Sequence, residues 1–142
     1  MSRLKCDCGK ILYSTSDDTR NILAIYDIQK VNNAISNNEN ERFADFECDN
    51  VNEEYEYWYC DDCKRIKKQS FKTGLVVETY IFGGEIEMKE IPSDAVFILS
   101  EKESVDIDFN GETLLKDVIQ KEFTNHIYLF DENAKTYSKI II

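Results

Sequence analysis

Five cysteines form two close pairs and one isolated residue, and their spacing is typical of a metal site. Cys6 and Cys8 are separated by one residue near the start of the chain, and Cys60 and Cys63 by two residues in its middle. Structural zinc sites take four soft ligands in a tetrahedron, and a thiolate pair on a tight turn supplies two of them. We therefore expect these four cysteines to hold one structural zinc ion.

The residues around both pairs favour tight turns between extended segments. Gly9 directly follows Cys8, where a backbone that bends its amides toward sulfur needs a positive φ. These turns resemble the rubredoxin-like cysteine turns of the zinc-ribbon group, whose cores join two cysteine turns on β-hairpins. The resemblance covers the cysteine turns and the hairpin from Glu54 to Phe82. It departs from the usual pattern in the Cys-x-Cys first pair and in the 51 residues between Cys8 and Cys60.

Two alternatives for the cysteines follow from the same residues. Cys48 could replace Cys6 or Cys8 as a ligand, although a lone cysteine at a strand end is more often a small buried side chain. A tryptophan shortly before Cys60 and Cys63 also suggests thioredoxin-like redox chemistry. That chemistry needs a helix N-terminus or positive neighbours to lower a thiol pKa. Two aspartates lie between these thiols and a β-pattern follows, so redox chemistry is disfavoured.

The sequence offers little for catalysis. Four thiolates close a zinc shell, whereas a catalytic zinc keeps one open position. His126 is the only histidine and is read as a structural or surface residue. Neither a nucleophile elbow nor a phosphate-cradling loop is present. We expect a protein that is not an enzyme.

Charge restricts the kinds of partner. The chain has 28 acidic against 17 basic residues and a net charge of −11, which argues against binding to nucleic-acid backbones or anionic membranes. No apolar stretch is long enough for a signal peptide or a spanning helix. These features, together with cysteines whose odd number and spacing do not suggest disulfides, predict a cytoplasmic protein without a membrane partner.

An acidic and aromatic stretch runs from Glu39 to Asp62, and it suits an interface in which charge steers a basic protein partner. The candidate partner-binding residues are Glu53, Glu54, Tyr55, Glu56, Tyr57, Asp61 and Asp62. Small acidic bacterial proteins often neutralise basic toxic nucleases, so an immunity or inhibitor protein is the leading interpretation. The alternative is a nucleic-acid-binding or transcription-related zinc ribbon that uses the bases between 64 and 72. Successive strand residues would split those bases between two faces, which disfavours it.

The periodicity predicts an α+β fold with a mainly antiparallel sheet, zinc-ribbon-like hairpins and two short helices. The C-terminal half reads as strand, strand, helix and hairpin. Gly83-Gly84 predicts a boundary between a zinc-ribbon-like lobe, 1–84, and an α+β lobe, 85–142, packed as one unit. Helices are predicted at 28–35 and 112–123, and strands at 4–8, 11–13, 21–26, 43–48, 54–60, 64–71, 75–82, 95–99, 105–109, 127–130 and 137–142. For 95–99 the alternative is a helix capped by Ser93 or Asp94.

Overall fold

The computed structural model describes residues 2–15, 19–107, 111–122 and 125–142, which contain nine strands and four helices. The strands are β1 (Ser2–Lys5), β2 (Ile11–Ser14), β3 (Ile22–Asp27), β4 (Tyr55–Tyr59), β5 (Ile66–Ser70), β6 (Val76–Glu87), β7 (Val96–Ser100), β8 (Ile127–Asp131) and β9 (Thr136–Ile141). The helices are α1 (Ile28–Asn37), α2 (Phe43–Asp49), α3 (Glu101–Ile107) and α4 (Leu115–Glu122).

Seven strands close into a barrel in the order β3-β4-β5-β6-β9-β8-β7, while β1 and β2 form a separate antiparallel hairpin. All barrel neighbours are antiparallel except β6 and β9, which are parallel. The predicted fold class, a mainly antiparallel α+β sheet of zinc-ribbon type with two helices, is therefore wrong. The described chain forms a closed mixed barrel with four helices, because β9 returns beside β6 in the same direction and β7 pairs with β3.

The glycine pair lies within a strand. β6 runs through Gly83-Gly84, and its register with β9 shifts between Phe82 and Glu85. Gly84 has a φ of 92°, and a Cβ on Gly83 would lie 3.0 Å from Ser138 Oγ of β9. A bulge with a close strand approach thus explains both glycines. The barrel takes strands from both sides of the predicted boundary, and the division into two lobes stays a prediction.

Two predicted strands are helices in the structure. The segment 43–48 lies in α2, where Phe43 and Phe46 are buried at the i, i+3 spacing of one helix face. The strand predicted at 105–109 is also wrong over 105–107, which end α3, and 108–109 lie outside the described residues. The helix predicted at 112–123 is confirmed from Leu115 to Glu122. The helix after Asp27 and the remaining predicted strands are confirmed, with two larger shifts of their ends. The strand predicted at 4–8 lies at Ser2–Lys5, with 6–8 in the first cysteine turn, and the strand predicted at 75–82 continues to Glu87.

Alternate residues of the barrel strands enter different cores. On β7, Val96 and Ile98 belong to the cluster inside the barrel, whereas Phe97 and Leu99 contact the helices outside it. A third cluster lies under the β1–β2 hairpin and contains Trp58 of β4 and Ile22 of β3. The hairpin therefore covers the outer face of β3 and β4, next to the cysteine turns.

Candidate functional site

The first cysteine turn connects β1 to β2. The N–H of Cys6 donates to the carbonyl of Lys10 at 2.8 Å, and the N–H of Gly9 donates to the carbonyl of Cys6 at 2.9 Å. Gly9 has a φ of 97°, in the left-handed region that glycine enters without steric cost. The turn therefore has the backbone conformation expected from the position of this glycine.

The second cysteine turn connects β4 to β5 and repeats the same arrangement. The N–H of Cys60 donates to the carbonyl of Arg65 at 3.0 Å, and the N–H of Lys64 donates to the carbonyl of Cys60 at 2.7 Å. Lys64 has a φ of 62° and occupies the position that Gly9 has in the first turn. A non-glycine residue is uncommon in this conformation. The turn therefore holds Lys64 at a positive φ that a lysine backbone does not favour.

The two turns bring the four predicted ligands together. Cys6 Sγ lies 3.4 Å from Cys63 Sγ, Cys8 Sγ lies 3.6 Å from Cys60 Sγ, and all four sulfurs lie within 4.8 Å of one another. Zinc–sulfur bonds of about 2.3 Å in a tetrahedron give sulfur–sulfur edges of about 3.8 Å. Disulfide sulfurs are much closer, at about 2.05 Å. The four cysteines are thus arranged to hold a metal ion.

The surroundings of the cluster are apolar on one side. Cys6 and Cys60 are buried, and they contact Leu12, Ile22 and Trp58. Cys48 is exposed on α2 and is not a member of the cluster. The alternative in which Cys48 replaces a ligand therefore has no support from the geometry.

The thiols differ in the direction of their pKa shifts. Burial raises the pKa of Cys6, and it raises that of Cys60 to about 12. Burial also opposes ionisation of Cys63, but hydrogen bonds from the backbone N–H of Arg65 and from neighbouring thiols lower its pKa to about 6. A divalent cation at the centre would favour the thiolate form of all four.

Ion pairs join each cysteine turn to its neighbour. Lys10 Nζ lies 2.7 Å from Asp61 Oδ1 and 3.3 Å from Asp62 Oδ1. Lys67 Nζ lies 3.1 Å from Asp7 Oδ2. The two aspartates between Cys60 and Cys63 thus contact the first turn. Both were predicted to bind a partner.

The other candidate partner-binding residues lie away from that turn. Tyr55, Glu56 and Tyr57 line a groove of about 570 Å³. Glu53 and Glu54, with both tyrosines, line an adjoining cleft of about 700 Å³. Five of the seven candidates are therefore grouped around these two openings.

The groove exists because β3 and β4 separate. They are paired only at Ile22–Trp58 and Leu23–Tyr57, although β3 continues to Asp27. Residues of α2, α3 and the loop before β4 border the gap, with the exposed apolar side chains of Val51, Phe71 and Val105. The acidic lining residues are Glu47, Glu56, Glu101 and Asp106, against the single lining base Lys102.

Two of the groove carboxyls resist ionisation. Burial raises the pKa of Glu56 and of Glu101, and the charge of Glu101 raises that of Glu56 further. Ser104, also in the lining, is 6% exposed, and its Oγ has no hydrogen-bond partner among the described residues. Sequence reasoning missed Glu101 and Ser104, because their segment had been assigned to a strand or loop.

The bases after Cys63 are mostly engaged within the protein. Lys64 Nζ lies 5.1 Å from the centroid of the Phe82 ring. Arg65 hydrogen-bonds Cys63, and Lys67 is buried beside Asp7. Lys68 Nζ lies 3.6 Å from Glu78. These contacts leave little of the predicted nucleic-acid patch available.

Among the described residues, no helix combines the length and the apolar character that crossing a membrane requires.

Comparison with known proteins places the chain in a family. Neither the curated proteins nor the solved structures contain a match. The family model described as "Domain of unknown function (DUF8617)" matches residues 2–82, more than half of the chain, and includes both cysteine pairs. The chain therefore belongs to the DUF8617 family.

Proposed function

We propose that the four thiolates hold one structural zinc ion and that the protein binds a basic protein partner through the groove between β3 and β4. Zinc fits the site because it prefers four thiolates in a tetrahedron, and the sulfur spacing is close to the edges of such a shell. The shell then has no open position for a substrate, so we assign the metal a structural role and propose no catalysis.

The acidic groove is the observation that carries the binding proposal. Its lining combines four carboxyl groups with exposed apolar and aromatic side chains. Raised pKa values at Glu56 and Glu101 mean that the free groove holds these charges at a cost in stability. A lysine or arginine side chain of a partner would remove that cost, because an opposite charge nearby favours the ionised carboxyl.

An exposed aromatic ring in the groove suits the same occupant. Phe71, 54% exposed, would contact the aliphatic stem of a long basic side chain. An inhibitor or immunity protein that binds a basic nuclease is the class of role that this combination suggests.

Affinity capture at two salt concentrations tests the partner. The metal-loaded protein should retain a basic protein at low salt and release it at about 0.5 M salt, because exposed charges are then screened. The double variant Glu56→Gln, Glu101→Gln should retain much less. The matched control is Glu39→Gln, Glu87→Gln, which changes two exposed acids outside the groove. Capture that does not depend on the salt concentration, or that is unchanged in the groove variant, contradicts the proposal.

Metal analysis tests the zinc site separately. We expect one zinc per chain in the wild-type protein and in Cys48→Ser, and loss of the metal in Cys60→Ser. A wild-type chain that is folded and free of metal contradicts the assignment. This result is independent of the capture experiment.

A further inference from the structure

One mouth of the barrel opens into a cavity that the proposed function does not use. Its volume is about 430 Å³, within the range of small-molecule sites, and each of the seven barrel strands contributes at least one side chain to its lining. The cavity is therefore the open end of the barrel interior.

Aromatic rings form much of the cavity wall. They are Tyr59, Phe82, Tyr128 and Tyr137. The Tyr137 hydroxyl donates to the carbonyl of Lys64. The hydroxyls of Tyr59 and Tyr128 have no hydrogen-bond partner in the described part of the chain, so both can donate to a molecule in the cavity.

The cavity lining contains three lysine and arginine side chains against two carboxyl groups. Lys139 is half-buried on β9 and makes no ion pair within the described residues, although Glu85 is its register partner on β6. Lys64 and Arg20 line the same mouth. Among the acids there, Glu103 is held by His126, whose Nε2 lies 2.7 Å from Glu103 Oε2. A half-buried ammonium is costly without an anion beside it.

We propose that the barrel mouth binds a small aromatic anion, with its ring between the aromatic walls and its charged group at Lys139 and Lys64. The ring replaces water against apolar surface, and the ammonium groups and free phenol hydroxyls donate to the anionic oxygens. The shared ligand chemistry is an aromatic ring that bears a carboxylate or a phosphate.

The test uses the metal-loaded full chain and two dyes of nearly equal shape. The sulfonate 1-anilinonaphthalene-8-sulfonate carries the charge, and 1-anilinonaphthalene lacks it. Calorimetry should give one sulfonate site per chain and binding of the neutral dye at least about tenfold weaker. Side-chain NMR signals of Tyr59 and Tyr128 should shift when the sulfonate binds. Equal binding of both dyes, or unshifted tyrosines, overturns the proposal.

A pair of lysine variants locates the charge. Lys139→Met keeps an unbranched apolar side chain and should weaken sulfonate binding by about tenfold, whereas Lys72→Met, outside the cavity on an exposed turn, should leave it unchanged. An unchanged affinity in Lys139→Met contradicts the site. Displacement of the dye by 1-naphthoate or by 1-naphthyl phosphate then distinguishes a carboxylate from a phosphate. Displacement by neither contradicts the proposed ligand class.

Discussion

The ammonium of Lys67 lies 3.1 Å from the carboxylate of Asp7, and the two side chains differ greatly in exposure. That of Lys67 is 4% exposed and that of Asp7 is 65% exposed. Lys67 also donates to Thr79 Oγ1 at 3.2 Å, so it is held on the outer face of β5 under the first cysteine turn. The ion pair therefore joins the β1–β2 hairpin to the barrel beside the candidate metal centre.

The two partners of this ion pair should respond differently to substitution. Asp7→Asn leaves a buried ammonium without its carboxylate and should lower the free energy of unfolding by about 1–2 kcal/mol. Lys67→Met leaves only an exposed aspartate and should stay within about 1 kcal/mol of wild type. Urea unfolding of the metal-loaded proteins measures both, with Asp62→Asn at an exposed ion pair as the control. A larger loss in Lys67→Met than in Asp7→Asn would refute this account.

Removal of the metal should release the hairpin before the barrel unfolds. Trp58, the only tryptophan, is fully buried and belongs to the cluster under the hairpin. A chelator under reducing conditions should therefore shift its fluorescence to longer wavelength, because the indole becomes hydrated. Amide exchange should accelerate in β1 and β2 while β8 and β9 remain protected. Unchanged emission after proven loss of the metal would show that the sulfurs do not hold the hairpin.

At position 64, directly after the second cysteine pair, glycine should give a more stable protein than alanine. Lys64 has a φ of 62°, where a Cβ costs about 1–2 kcal/mol and glycine is free of that cost. Glycine loses part of this advantage through the entropy of the unfolded chain. We expect Lys64→Gly to be more stable than Lys64→Ala by about 0.5–1 kcal/mol in thermal unfolding. Alanine equal to or better than glycine would mean that the turn relaxes around the new side chain.

The groove carboxyls should make stability depend on pH in a definite direction. The pKa of Glu56 is raised in the folded protein, chiefly by burial and then by the charge of Glu101. Stability is therefore lost as the pH rises from the ordinary glutamate pKa through the raised value, and it stays lower above it. Glu56→Gln should stabilise the protein at pH 7, by less than about 1 kcal/mol for a half-buried group, and should have little effect at pH 4.

Unfolding of Glu56→Gln at both pH values checks the sign of this effect. Glu39→Gln, an exposed acid outside the groove, is the control and should match wild type at each pH. Destabilisation by Glu56→Gln at pH 7 would mean that a hydrogen bond to the carboxylate outweighs its burial.

Sequence reasoning succeeded where the structure depends on neighbouring residues. The first cysteine turn follows from its pair of thiols and from Gly9 directly after them, and the hairpins follow from turn residues between extended segments. The positive φ of Lys64 in the second turn was not predicted. The capping box of α3 was equally local and was overlooked. Ser100 Oγ accepts the N–H of Glu103 at 3.1 Å, and Glu103 accepts the N–H of Ser100 at 3.0 Å. This Ser-x-x-Glu signature begins a helix, whereas the alternation from Val105 to Phe109 favoured a strand.

The barrel and the groove depend on pairings that no local pattern encodes. β3 pairs with β7, which lies some seventy residues later in the chain. β6 lies parallel to β9, and its alternation of inward and outward side chains would be the same beside an antiparallel neighbour. Glu101 reaches the groove of Glu56 only through that closure. The sequence by itself determined the two cysteine turns, because turn geometry is set within a few residues. Tertiary structure alone decided that the two turns meet, which strands close the barrel and which carboxyls lie together, because those contacts depend on burial between distant segments.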